Sequence, residues 1–294
     1  MTTPRSTRIA WIGLAILTVV WSLNWSVMKI ATRFSGPFTF SAQRYVLGTV
    51  VLFALLLLRR EKLQPSPWLP TIVIGLAQTC AFQALAQWAL MSGGAGKTAL
   101  LAYTMPFWVV PLAWWWLHEK PGLVRWLCIA IAAAGFISVV QPWKPLGAPE
   151  SIALALAAGL AWAIATVLSK RVFERHPDVT PLQLTAWQML IGTVGLVVLA
   201  LGAHERTVDW TATYIAALLY NGLLSSGVCW VLWAVVVQRL SANVAGLTSL
   251  AVPVAGVLFA WALLAERPSA FEWFGIALIG IALGALNFSR RVPA

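Results

Sequence analysis

Ser41-Ala42-Gln43-Arg44-Tyr45-Val46-Leu47-Gly48-Thr49-Val50 is written a second time, in altered form, as Thr185-Ala186-Trp187-Gln188-Met189-Leu190-Ile191-Gly192-Thr193-Val194. The correspondence extends outward from that pair in both directions. Toward the N-terminus, Val20-Trp21-Ser22 answers Ala161-Trp162-Ala163, and Lys29 answers Lys170, at an offset of 141. Toward the C-terminus the offset settles at 147. There Gly75 meets Gly222, Pro106 meets Pro253, Glu119-Lys120-Pro121 meets Glu266-Arg267-Pro268, and Trp126 meets Trp273. Matches at Trp, Pro and Glu-basic-Pro are rare enough that an internal duplication explains them and chance does not.

What is duplicated is apolar. Of the 294 residues, 60% are hydrophobic and 10% charged, with a mean hydropathy of +0.82. Soluble domains carry roughly 25% charged residues, so a water-soluble enzyme is excluded. Hydrophobic stretches centre near residues 18, 48, 80, 107, 132, 160, 191, 224, 254 and 280. Spans of about 21 residues leave only short loops and tails, with no extramembrane domain. The run from Ile9 to Met28 follows Arg5 and Arg8. It is too long for a signal-peptide core of about 7–15 residues and lacks a small-residue cleavage site, so it reads as the first membrane helix.

Ten spans divided between two copies give five helices each, over residues 1–145 and 146–294. An odd number makes the second copy enter from the opposite side. The expected fold is therefore an all-α integral membrane protein, ten transmembrane helices in two inverted five-helix repeats. Inverted repeats are typical of secondary transporters, whose substrate sits near the midplane between the halves.

The net charge of +11 follows membrane topology rather than a nucleic-acid patch. With a cytoplasmic N-terminus, 13 basic residues fall in inside segments, among them Arg59, Arg60, Lys62, Lys170, Arg171, Arg290 and Arg291. Six fall outside: Lys29, Arg33, Lys97, Lys144, Arg206 and Arg267. The positive-inside rule then places both termini in the cytoplasm. Trp11, Trp68, Trp126, Trp143, Trp210 and Trp273 lie near helix ends, where indoles settle at the interface. Cys80, Cys128 and Cys229 read as small apolar residues within spans.

The chain resembles EamA-type members of the drug/metabolite transporter superfamily. The resemblance is carried by Val20-Trp21-Ser22-Leu23-Asn24-Trp25 through Lys29, by Gln43-Arg44-Tyr45, by Pro106 through Glu119, and by Pro253 through Glu266 with Gly275-Ile276-Ala277-Leu278-Ile279-Gly280. It implies ten helices in two inverted halves and a transport function in the inner membrane. Within the family, the tryptophan-rich, neutral-polar helix faces are most similar to YddG-like exporters of aromatic and neutral amino acids.

All nine acidic residues and the three histidines fall in loops or at helix edges. No mid-membrane carboxylate or imidazole is left to relay a proton, ligate a metal or form a catalytic dyad. Neither enzyme activity, a metal nor a cofactor is expected. The partners expected are a small-molecule substrate and the bilayer, with monomer and homodimer both open. Glu119 and Glu266, each followed by a basic residue and Pro, read as turns holding a local ion pair.

The candidate substrate site is neutral apart from Arg44. That residue lies about six residues into the second helix, roughly 9 Å deep at 1.5 Å per residue, either as a clamp on helix-end carbonyls or as an anchor for a carboxylate. Trp21, Asn24, Trp25 and Met28 form a stripe at helical spacing, answered by Trp162, Ala165, Thr166 and Ser169. Such stripes either line a cavity or glue helices together. Gln78 aligns with Ser225, and Asn221 lies one turn before it. Gln83 and Gln87 form a competing stripe on another face, and symmetry favours Gln78. Tyr103 and Thr248, just before Pro106 and Pro253, complete the expected lining. Prolines 106, 111 and 253 interrupt backbone bonding and bend their helices. Such a site suits a zwitterion with an apolar part. The alternatives are carriage of a drug, nucleoside or sugar phosphate, or a scaffold on the same fold. A phosphate calls for several converging cations, and only Arg44 lies within a span.

Overall fold

The computed structural model describes residues 4–64, 67–93, 95–264 and 267–288. Glu266, Arg290 and Arg291 lie outside the described residues. Among those described, every regular element is helical. In chain order these are α1 (Pro4–Ala31), α2 (Pro37–Leu58), α3 (Trp68–Ser92), α4 (Ala95–Ala102), α5 (Met105–Leu117), α6 (Leu123–Val140), α7 (Pro149–Arg175), α8 (Pro181–Gly202), α9 (Ala212–Arg239), α10 (Ala242–Thr248), α11 (Ala251–Leu264) and α12 (Ala270–Phe288). Nine stretches among the described residues are long and apolar enough to cross a membrane, and Ala270–Leu286 of α12 is apolar but shorter.

Local chemistry explains the boundaries. Helices α2, α7 and α8 begin with Pro at their first position, where the missing N–H has no partner to lose. Thr180 caps α8 by accepting from the Gln183 amide at 3.0 Å, and Thr211 caps α9 through Tyr214 at 3.2 Å. Pro106 and Pro253 do more than bend a helix. Turns at Tyr103–Thr104 and Ser249–Leu250 split each apolar stretch in two, and a new helix starts around each proline. Pro111, by contrast, stays inside α5.

Both α3 and α9 contain π-helical turns, at Gly75–Ala81 and Tyr220–Val228. Small residues in these turns let the chain pack at backbone distance. A Cβ built on Gly192 of α8 would lie 2.3 Å from the Gly75 carbonyl oxygen, and one on Gly48 of α2 would lie 3.2 Å from that of Gly222. Helix α2 thus packs against the π turns of α9, and α8 against those of α3. Where α2 crosses α8, Thr49 Oγ1 and Thr193 Oγ1 share a hydrogen bond of 3.1 Å.

The lysines repeated in the sequence take equivalent posts. Lys29 Nζ donates to the carbonyls of Leu90 and Gly93 at the end of α3, and Lys170 Nζ to Gln238 near the end of α9. A cation at a helix C-terminus meets the orphan carbonyls and the negative end of the dipole. Large apolar side chains such as Leu57, Leu58, Leu69, Trp115, Leu123 and Leu201 are exposed on the outer surface. That surface is what a hydrocarbon solvent requires.

Candidate functional site

Where α1, α2, α3, α7 and α9 converge, a small cavity of about 30 Å³ is lined by Trp21, Asn24, Trp25, Met28, Arg44, Tyr45, Phe82, Gln83, Ala86, Tyr103, Trp162, Ser225 and Trp230. Rings form most of the wall. Trp162 is at the centre, with ring centroids 5.7 Å from Trp21, 5.2 Å from Phe82, 5.4 Å from Tyr103, 5.3 Å from Trp233 and 5.9 Å from Trp230. Most of these pairs are edge-on or tilted, as the ring quadrupoles favour. Such a volume admits about two water molecules, far less than the roughly 300–1,000 Å³ of an ordinary ligand pocket. In this conformation the aromatic residues have closed on one another.

Arg44 is 2% exposed, and its recorded partners are neutral. Nη1 donates to Asn221 Oδ1 at 3.0 Å and Nη2 to Gln83 Oε1 at 2.6 Å. Its guanidinium carbon lies 5.0 Å from the Tyr45 ring centroid and 5.6 Å from that of Phe40. Arg44 Nε is buried without a hydrogen-bond partner. Two further cavity residues carry an orphan, Trp162 Nε1 and Asn24 Oδ1. An orphaned buried polar atom costs about 1–3 kcal/mol, and more where it belongs to a charge. The cavity therefore gathers two unused donors, one of them cationic, and one unused acceptor.

Other cavity polar atoms tie opposite parts of the chain together. Trp21 Nε1 donates to the Ser225 carbonyl at 3.2 Å, and Trp230 Nε1 to Tyr45 Oη at 2.7 Å. A larger opening of about 580 Å³ adjoins this site and shares Trp25 and Tyr103 with it. Its wall includes Ser22, Ser26, Lys97, Lys144, Val257 and Arg267.

Seven expected site residues line the central cavity: Trp21, Asn24, Trp25, Arg44, Tyr103, Trp162 and Ser225. Four do not. Thr166 Oγ1 turns back to the Trp162 carbonyl of its own helix at 2.9 Å, and Thr248 Oγ1 to Ala245 at 2.8 Å. A hydroxyl buried among apolar side chains meets its need most cheaply from the preceding turn. Asn221 stands behind Arg44, accepting with Oδ1 and donating with Nδ2 to the Ala217 carbonyl at 3.0 Å. Gln78 is buried within the π turns, away from the cavity, and Gln83 takes the place expected of it. The π turns invalidate a facing calculated at 100° per residue, because each inserts an extra residue per turn.

Tyr45, Phe82, Gln83, Ala86 and Trp230 are the lining residues that sequence reasoning missed or ranked lower. A signal existed for two of them, since Gln83 and Trp230 occupy equivalent positions at the same offset of 147. They match in place and differ in chemistry. Glu119 also departs from its expected local ion pair. Its carboxylate reaches across to α10, accepting from the Ala242 amide at 3.0 Å, the Asn243 amide at 3.4 Å and Asn243 Nδ2 at 3.2 Å.

The class these features define is a polytopic helical membrane protein with a polar, aromatic-walled centre. The EamA-like transporter family matches residues 9–141 and again residues 150–288, and the chain belongs to that family. It is 29% identical to the uncharacterized transporter YoaV of Bacillus subtilis, over 95% of this chain and 98% of that one. It is 25% identical to a probable amino-acid metabolite efflux pump of Salmonella typhimurium, over 95% of each chain. A solved crystal structure superimposes over the full length of both chains at a TM-score of 0.80 and 21% identity, a likeness of fold. The chain is a membrane transporter; family and relatives speak for transport rather than catalysis.

Proposed function

We propose that the protein is a secondary carrier that exports small zwitterions with an apolar body, aromatic and other neutral amino acids above all, across the bacterial inner membrane. Residues 1–145 and 146–294 form its two inverted five-helix halves, with ten spans and both termini cytoplasmic. Support for the repeat comes from the order of elements: two long helices, a π-interrupted helix, a proline-broken pair and a last helix, twice over. It comes also from the Thr49–Thr193 bond, which joins two positions equivalent in sequence.

The observation that carries the substrate class is the trio of orphans. Arg44 Nε and Trp162 Nε1 suit a carboxylate, and Asn24 Oδ1 suits an ammonium group. Arg44 has no acidic partner among its recorded hydrogen bonds, so a bound monoanion would neutralise it. A doubly charged phosphate would keep an unpaired charge in a low-dielectric site. The ring wall would receive the apolar side chain once the halves part, with one rocking on the other. The efflux-pump relative is consistent with the direction.

Flux of labelled phenylalanine, threonine and glucose 6-phosphate into proteoliposomes of the pure protein tests the proposal. Phenylalanine should move, and phenethylamine, which lacks the carboxylate, should not. Movement of the sugar phosphate without either amino acid would sink the substrate assignment.

A further inference from the structure

We infer that the bridge from Glu119 to Ala242 and Asn243 is the latch that keeps one face of the carrier shut while the opposite face stands open. The inference rests on the alternating-access reading proposed for this carrier. Three carboxylates reach from one half to a helix start in the other. Glu205 accepts from the Phe38 and Thr39 amides at the start of α2, at 3.0 and 2.7 Å. Glu61 accepts from Thr180 Oγ1 at the start of α8. Glu119 serves the start of α10. The first two are equivalent in sequence at an offset of 144 and sit at opposite ends of the α2–α8 pair. Both are made at once, so that pair is tied at its two ends and does not distinguish the faces.

The surroundings of Glu119 do distinguish them. Asn243, Lys120 and Pro121 repeat as Gly96, Arg267 and Pro268 at an offset of 147. The second set flanks the opening of about 580 Å³, whereas the first is drawn together by the four bonds of Glu119 and Asn243. Burial follows the same division. Ser22, Ser26, Gly256 and Val257 line the opening, and their sequence equivalents Ala163, Val167, Val109 and Val110 are buried. Helices α5 and α10 are thus closed on one another where their sequence equivalents α11 and α4 flank the opening, and Glu119 is the polar tie of the closed pair. Ser241, whose hydroxyl is buried without a partner, leaves the start of α10 to it.

Cysteine accessibility tests this in the full-length protein, with Cys80, Cys128 and Cys229 replaced by Ala. Ser26→Cys reports the open face and Val167→Cys the closed one, each labelled by a water-soluble maleimide. With Glu119 intact, Ser26→Cys should label and Val167→Cys should resist. Adding Glu119→Ala should speed Val167→Cys roughly tenfold, the population change expected when a capping carboxylate is lost, and slow Ser26→Cys. Asn243→Ala, which leaves the carboxylate and both amides, should shift both in the same sense by less, and serves if Glu119→Ala does not fold. Unchanged labelling, or a rise at both sites, overturns the latch, since a rise at both marks general loosening. Labelling needs no substrate. Wild-type flux of phenylalanine without the reciprocal shift removes the latch and leaves the carrier, and the shift without flux does the reverse.

Discussion

Replacing Arg44 by Gln separates a binding role from a clamping role, because the two predict different effects on stability and transport. The guanidinium makes two charge-assisted hydrogen bonds, to Asn221 and Gln83, each worth about 1.5–3 kcal/mol. Its contacts with the Phe40 and Tyr45 rings add about 0.5–2 kcal/mol. Against these stands the penalty for burying a cation whose recorded partners are neutral, several kcal/mol after relaxation. The two sides nearly cancel, and what remains is the oxygen of Asn221 or Gln83 that Gln leaves unpaired, about 1–3 kcal/mol, so Arg44→Gln is expected to lower the melting temperature in detergent only slightly. Transport should respond differently. Losing one charge-assisted bond to a carboxylate, about 1.5–3 kcal/mol, lowers kcat/KM for phenylalanine roughly 10- to 150-fold. Arg44→Lys restores the charge without the planar fork and should recover part of that loss. The assays are initial-rate flux in proteoliposomes and thermal unfolding of the same preparations. A marked drop in melting temperature with undiminished kcat/KM would refute the reasoning and make Arg44 a structural clamp.

Trp162→Phe keeps a ring among Trp21, Phe82, Tyr103 and Trp230 but removes the orphan N–H, so phenylalanine and threonine flux should fall alike, by about 1 kcal/mol in transition-state terms. Trp162→Ala instead empties the centre of the cluster and should cost about 3–5 kcal/mol of stability, visible as loss of a monodisperse peak in size-exclusion chromatography. Gly192→Ala drives a methyl group to 2.3 Å from the Gly75 carbonyl oxygen; it should destabilise by about 1–3 kcal/mol in thermal unfolding, and an unchanged melting point would show that α3 and α8 can part. Reporter tags inserted after Leu63 and at the C-terminus should both read cytoplasm, and one after Leu146 the opposite side; a C-terminus on the far side requires an odd number of spans and ends the inverted-repeat proposal.

The sequence by itself determined that this chain is a polytopic membrane protein, because hydropathy and the cost of unpaired backbone in lipid leave helices as the one economical answer. It also pointed to Trp21, Asn24, Trp25, Arg44 and Trp162, since helical spacing puts residues of one helix on one face and the duplication says which faces correspond. Tertiary structure decided what spacing cannot express. The π turns of Gly75–Ala81 and Tyr220–Val228 rotate the facing of the helical residues beyond them, so Gln83 rather than Gln78 meets Arg44, and no residue-per-turn count foresees an inserted residue. Glu119 carried no sign of its partner, because α10 lies 123 positions away from it in the chain. Nor could Thr166 and Thr248 be recognised as spent on their own helices, since a hydroxyl serves a ligand or the turn below with equal chemistry. Which polar atoms stay unpaired at the centre is settled by three-dimensional competition for partners, and at this site that competition leaves Arg44 Nε, Trp162 Nε1 and Asn24 Oδ1 free.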